Sequence, residues 1–184
     1  MIILVGASAS GKTEIAKILY KNGYKKCITT TTRQIRLGEI DGIDYHFITK
    51  EVFNKLLLEN AFLEVTQYQN NLYGLQKKDI ISDGVAILDP NGANNVITAM
   101  KTDVFVTFIK SSKKKRKERM IKRKDTIESI KNRLKNDNKT FKTKNLVKVD
   151  LIINNKDEPL EEIAKKIDDK YKKFAKKKTE NAHI

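Results

Sequence analysis

The apolar positions of this 184-residue chain fall into short blocks whose spacing changes along the sequence. Met1–Val5 is a continuous apolar run, the mark of a strand buried on both faces. In Lys12–Lys21, Ile15, Ala16, Ile18 and Leu19 recur at helical spacing. Asp44–Ile48 is aromatic and strand-like, and Glu51–Asn60 predicts a helix with Val52, Leu56 and Leu57 inward and Thr49 as N-cap. Phe62–Tyr68 and Asn71–Tyr73 predict a strand pair, and Gln76–Ser82 a short helix. Val85–Leu88 predicts a buried strand closing on Asp89, Asn94–Lys101 a helix and Val104–Ile109 another buried strand. Lys113–Asn138 reads as two charged helices broken near Asp125, and Val149–Ile153 as a last strand. Pro159 opens a helix towards Lys172, a position where its absent N–H forfeits no helical bond. The polar tail from Lys176 is expected to fray.

Buried strands alternating with helices predict an α/β fold, three layers deep, around a parallel sheet. Residues 33–83 interrupt the alternation with shorter aromatic strands and read as a small mixed α/β insert. The core is then 1–32, 84–109 and 145–184, with a helical segment over 110–144, all within the size of one domain.

Composition narrows the setting. No apolar run approaches the ~20 residues that span a bilayer. The N-terminus lacks the basic flank of a secretion signal, so the expected location is the cytoplasm. A single cysteine, Cys27, excludes an intramolecular disulfide and a zinc site built from cysteines. The net charge of +15 first suggests a polyanionic partner. It is concentrated, however: residues 110–144 hold 16 of the 38 basic and 4 of the 23 acidic side chains, a net +12. No aromatic residues interleave with the lysines of 110–124, which argues against nucleic acid.

Chemistry enters at Gly6-Ala7-Ser8-Ala9-Ser10-Gly11-Lys12-Thr13, which fits G-x-x-x-x-G-K-[ST] between a predicted strand and helix. Such a loop wraps a phosphate with inward N–H groups at the positive end of a helix. Lys12 is then expected on the β/γ-phosphates and Thr13 on Mg²⁺, with Asp89 as the nearby acid. Beyond Cys27, Arg33 and Arg36 stand three apart beside a Gly38-Glu39 turn and Tyr45, a set suited to a phosphate monoester. Glu64 and Tyr73 follow on the strand pair, and a carboxylate can accept both N1–H and N2–H₂ of guanine, a donor pair adenine lacks.

With these residues in view, the chain resembles guanylate kinase. The phosphate loop, TTR-x-x-R-x-GE-x-DG-x-DY-x-F, FLE, N-x-YG, the ILD strand end, the arginine-bearing helices and D-x-I-I-N run in the family's order from Met1 to about Ile167. The resemblance implies a phosphate-loop kinase fold with a nucleoside-monophosphate-binding insert and a helical lid over 110–144. It implies transfer of the γ-phosphoryl group of ATP to GMP, and to dGMP, by a monomer or homodimer. It assigns the acceptor phosphate to Arg33, Arg36, Tyr45 and Tyr73, and the base to Glu64 and Thr29. It assigns the ATP phosphates to the loop with Lys12, the transferring group to Arg123 and Arg133, and the adenine side to Asn154. Three departures stand out: Leu75 replaces a small hydroxyl residue, the Asp89-Pro90-Asn91-Gly92 turn is short, and Lys124 replaces a glycine in a lid loop one residue short. A kinase of another nucleoside monophosphate and a non-catalytic binding module of the same fold are the alternatives. The intact Gly11, Lys12 and Thr13 speak against the second.

Overall fold

A computed structural model of the chain describes residues 1–68 and 70–181, with the backbone alone at Thr102 and Asn181. The N-terminal apolar run forms β1 (Ile2–Val5), buried at all four positions. It is buried because it lies in the middle of a five-stranded sheet. On one side it pairs with β7 (Gly84–Ile87), which pairs in turn with β2 (Lys25–Lys26). On the other it pairs with β8 (Phe105–Lys110), and β8 with β9 (Leu151–Asn154). All four pairings are parallel, so the carboxyl ends of the strands, with the loop after β1, open on one edge.

Helices cover both faces of that sheet. On one face, Ile2 and Leu4 pack against Ile15 and Leu19 of α1 (Lys12–Lys21) and Ile163 and Ile167 of α6 (Leu160–Asn181). On the other, Ile3 and Val5 pack against Val96 and Ile97 of α3 (Pro90–Met100). Asp89 caps α3, accepting from the N–H groups of Asn91 and Gly92, with Pro90 at the helix start where its ring is tolerated.

The insert carries its own sheet in the order β4 (His46–Phe47), β3 (Thr29–Thr31), β6 (Asn71–Gln76), β5 (Phe62–Tyr68). Its first strand, β3, lies ahead of the expected start of the insert at residue 33. Across the sheet lies α2 (Lys50–Leu58), capped by the Thr49 hydroxyl as expected. Its inward residue is Phe53, fully buried and stacked on Phe62 with ring centroids 4.5 Å apart. Val52 and Leu57, expected inward, are 46% and 48% exposed. In a helix this short, one aromatic ring anchors the contact and the aliphatic stripe beside it stays at the edge.

Residues 110–144 form α4 (Lys113–Lys122) and α5 (Ile127–Thr140), joined at the expected break. Lys124, at φ +62°, takes the left-handed conformation in that turn, which favours glycine. The small core of the pair, Met120, Ile130 and Leu134, packs on Ala9 of the phosphate loop.

Other differences are local. The strand predicted over Asn71–Tyr73 continues to Gln76, and the helix expected from there is one 3₁₀ turn, Lys77–Asp79. Helix α3 begins earlier than Asn94, because Asp89 and Pro90 form its start. The last helix passes Lys176 and runs to Asn181; the final residues of the tail lie outside the described residues.

Truncation of the fully buried Phe53 to alanine removes the ring between α2 and the insert sheet. Phe53→Ala is expected to lower unfolding free energy by about 3–5 kcal/mol in urea titration, and a loss below about 1 kcal/mol would contradict this packing role.

Candidate active site

The phosphate loop, Gly6 to Thr13, joins β1 to α1 over the carboxyl edge of the sheet. At Gly11 the backbone has φ +106°, and a Cβ would stand 2.6 Å from Asn155 Nδ2, so conformation and space both require glycine. Asn155 is buried and donates through Nδ2 to Ser10 O at 2.9 Å, while its Oδ1 accepts from Arg119 Nη2 at 3.3 Å. Arg119 Nη1 also donates to Ala9 O at 3.1 Å. Lys12 folds back over the loop, donating to Gly6 O at 2.5 Å and Ala7 O at 3.0 Å. Burial pulls its pKa down to about 8; Asp137 opposes the fall, and Arg116, Arg123 and Arg133 add to it.

Four arginines converge beside Lys12. Arg33 Nη2 forks onto Glu39, at 2.9 and 3.0 Å from its two oxygens, and its guanidinium lies 5.4 Å from the ring centroids of both Tyr45 and Phe47. Glu39 also accepts from the Arg36 N–H at 2.8 Å. The Tyr45 and Tyr73 rings meet edge to face at 6.3 Å. His46, on the opposite side of its strand as expected, meets Asp79 at 3.3 Å. From the lid turn, Asp125 accepts from Arg123 Nε at 2.9 Å and from its Nη2, and from Arg133 Nη1 at 3.4 Å. Burial first, then the nearness of Arg33, Arg133 and Arg123, lowers the pKa of Arg36. This is the electrostatic signature of a site that a dianion would relieve.

The four guanidiniums, Lys12, Tyr45 and Tyr73 line one cavity of about 170 Å³, beside an outer cleft of about 740 Å³. Glu64 lines it, only 4% exposed, and among the described residues neither carboxylate oxygen accepts a well-formed hydrogen bond, the Leu75 backbone N–H giving it only weak support. Its Oε2 lies 2.8 Å from where a Cβ on Gly92 would stand, so the carboxyl packs against the first turn of α3. Burial, and secondarily Asp89, pushes its pKa up to about 8. Thr29 and Thr66, both buried, line the cavity near it. Leu75, which stands where a hydroxyl residue was expected, is packed in the main core instead.

Thr13 and Asp89 border the same cavity. Among the described residues no group of three or more His, Cys, Asp or Glu side chains could hold a metal. A hydroxyl and a carboxylate on one cavity wall fit Mg²⁺, which takes one or two protein oxygens and completes its shell with phosphates and water. Asp89 serves at the same time as the α3 cap, through Oδ1.

Strand alternation points Ile153 into the core and Asn154 outward, where it is exposed and lines neither cavity. The next residue, Asn155, is the one beneath the loop. Sequence reading also passed over Arg116, Arg119 and Asp137. Arg116 and Asp137 are buried and paired at 3.2 Å, and their only sequence signal was a charged position on the apolar stripe of each helix.

The family model described as Guanylate kinase matches residues 1–173. The chain is 35% identical over 144 residues to the guanylate kinase of Clostridium perfringens strain 13, covering 73% of this chain and 67% of that protein. It is 34% identical over 143 residues to the guanylate kinase of Clostridium tetani strain Massachusetts, covering 73% and 69%. The crystal structure of guanylate kinase from Anaplasma phagocytophilum superposes with a TM-score of 0.69 over 92% of this chain and 82% of that one, at 23% identity, a likeness of fold.

The buried carboxyl makes stability depend on pH. Glu64 has a folded pKa near 8, above its ordinary value of 4.5. Its contribution is therefore fully present below pH 4.5 and lost as pH rises through about 8. Without ligand, Glu64→Gln should gain stability over the unaltered protein across that interval, and the gap should level off above it. Urea midpoints measured against pH test this; a gap that does not change with pH would sink the assignment.

Proposed function

The chain belongs to the guanylate kinase family and transfers the γ-phosphoryl group of ATP to GMP, giving ADP and GDP; we propose that the converging side chains described above divide this reaction as follows. The carrying observation is one cavity that joins a phosphate loop, four arginines and a buried carboxylate without a well-formed hydrogen bond.

The guanine enters first by its edge. Glu64 accepts from N1–H and N2–H₂, and Thr29, with the Thr66 hydroxyl beside it, borders the base. A buried carboxyl with no well-formed hydrogen bond favours a ligand carrying two adjacent donors and disfavours adenine, which would leave the carboxyl unsatisfied. The acceptor phosphate lies against Arg33 and Arg36, with the Tyr45 and Tyr73 hydroxyls completing its shell. These residues address phosphate and base, so dGMP is a second substrate in this reading.

The ATP phosphates occupy the loop from Gly6 to Thr13, including Ala7, Ser8, Ala9, Ser10 and Gly11, where Lys12 leaves the Gly6 and Ala7 carbonyls for the β/γ-phosphates. Thr13, with Asp89 nearby, would hold Mg²⁺, which supplies charge neutralisation across the β- and γ-phosphates when bound. An oxygen of the GMP phosphate attacks the γ-phosphorus, and the bond to the bridging oxygen of ADP breaks. The attacking oxygen is already anionic, so no general base is needed. Charge spread over the transferring group is met by Lys12, Arg123 and Arg133. Insert, core and lid enclose the site, which keeps water from taking the phosphoryl group. The single cysteine, buried and unpaired, supports a reducing compartment such as the cytoplasm.

Two measurements test these roles. In a coupled ADP-release assay, Lys12→Ala should lower kcat by about 10²–10³-fold or more. Arg36→Ala should raise KM for GMP by about 10- to 100-fold, the value of a charged hydrogen bond, with KM for ATP little changed. An unchanged kcat in Lys12→Ala, or a KM for GMP that does not rise in Arg36→Ala, would overturn the division. Separately, binding of guanine must ionise Glu64. Calorimetry in two buffers near pH 7 should then register release of close to one proton on GMP binding, absent in Glu64→Gln and fading above the pKa of about 8.

A further inference from the structure

One buried carboxylate belongs to none of the roles above. Asp137 lies on the inner face of α5, and its side chain is 0% exposed. Oδ2 accepts from the Ser8 backbone N–H at 2.8 Å and from Arg116 Nη1 at 3.2 Å. Oδ1 accepts from the Tyr68 hydroxyl. Tyr68 and Ser8 Oγ lie 3.4 Å apart, which closes a small polar ring. Four elements therefore meet at one side chain: the phosphate loop, the insert strand β5, and both lid helices.

The surroundings make the pair conspicuous. The neighbouring lid core is apolar, Met120, Ile130 and Leu134 resting on Ala9. A buried Arg–Asp pair gives such a core no stability that apolar residues would not give, because desolvation of both charges offsets their attraction. What it gives is direction: the carboxylate is satisfied only when loop, insert and lid stand in one arrangement. The contacts divide unequally. Arg119 and Ala9 already fasten the lid to the loop. Tyr68 reaches the junction from the insert, on the same cavity wall as Glu64 and Thr66. Its ring also lies edge-on to Phe141 at 6.1 Å, and Phe141 lies 5.7 Å beneath the Lys12 ammonium.

We infer that Asp137 is a positioning residue that latches the insert to the phosphate loop and lid, so that filling the acceptor cavity and ordering the ATP-binding loop favour each other. This rests on the reading of the cavity as the GMP site and the loop as the ATP site. Tyr68 donates to Asp137 in the ligand-free arrangement, and GMP, by holding β5, keeps it there. Asp137 then holds the Ser8 N–H and Arg116, and the loop is fixed for ATP. Linkage requires the reverse effect to be equal.

The test measures that coupling by binding rather than by rate. The affinity for a non-hydrolysable ATP analogue is measured by calorimetry with and without saturating GMP. In the unaltered protein GMP should tighten the analogue by about fivefold or more, the usual floor of an intersite coupling. Tyr68→Phe keeps the ring and removes only the hydroxyl; it should bring the factor to about one, a larger change than in either ligand's affinity alone. Asp137→Asn should do the same. Because it strands Arg116 in the lid core, the double variant Arg116→Leu/Asp137→Ala serves as an apolar replacement that preserves packing. Coupling that persists in Tyr68→Phe and in the double variant, with melting temperature kept, overturns the latch while leaving the kinase reading intact. An unaltered protein that turns over GMP but binds the two ligands independently also overturns it. Failure to bind or turn over GMP at all would instead strike the underlying site assignment.

Discussion

The backbone of residues 6–13 is the constraint on which the other parts depend. A phosphate-binding loop must hold several N–H groups pointing the same way, an arrangement no regular element supplies. The chain fixes it from every side. β1 delivers it at the sheet edge, α1 draws it into a helix, Asn155 fastens Ser10 from just beyond β9, Arg119 fastens Ala9 from α4, and Asp137 takes the Ser8 N–H from α5. The lid core packs on Ala9 of this loop. Core, lid and insert are thus oriented by reference to one turn of chain.

The second demand is electrostatic. Five cations around one cavity repel one another, and among the described residues Glu39 pairs with Arg33 while Asp125 pairs with Arg123 and Arg133. Each holds arginines in a fork geometry that a phosphate can inherit. Glu64 is the converse case, a carboxyl kept from both water and well-formed hydrogen bonds so that it meets a ligand with adjacent donors. Both features lower the stability of the empty protein in favour of a tightly held substrate, as functional sites commonly do.

Much of the core was legible. The apolar run of β1, the helical spacing of Lys12–Lys21 and the strand at Val104–Ile109 are strong local signals, because elements central to a parallel sheet are apolar throughout. The insert was read less well. Val52 and Leu57 looked like the inward stripe of α2, but Phe53 fills the space against Phe62. The tiny strands β2 and β3 gave no periodic signal. Of the surplus lid charge, Arg116 is buried, Arg119 and Arg133 are half-buried, Arg123 stays exposed at the rim of the cavity, and most of the lysines stay at the surface, as the solvated face of α4 and α5.

The sequence by itself determined the phosphate loop, the order of strands and helices, and the arginines, tyrosines and carboxyl of the acceptor side, because those signals are short-range and motif-bound. Tertiary structure alone decided that Asn155 rather than Asn154 lies under the loop, since one residue of strand register reverses a side chain. It also decided that Leu75 belongs to the core, and that Asp137 joins residues 8, 68 and 116. Such meetings of distant residues arise only when packing brings their elements together, and no local spacing encodes them.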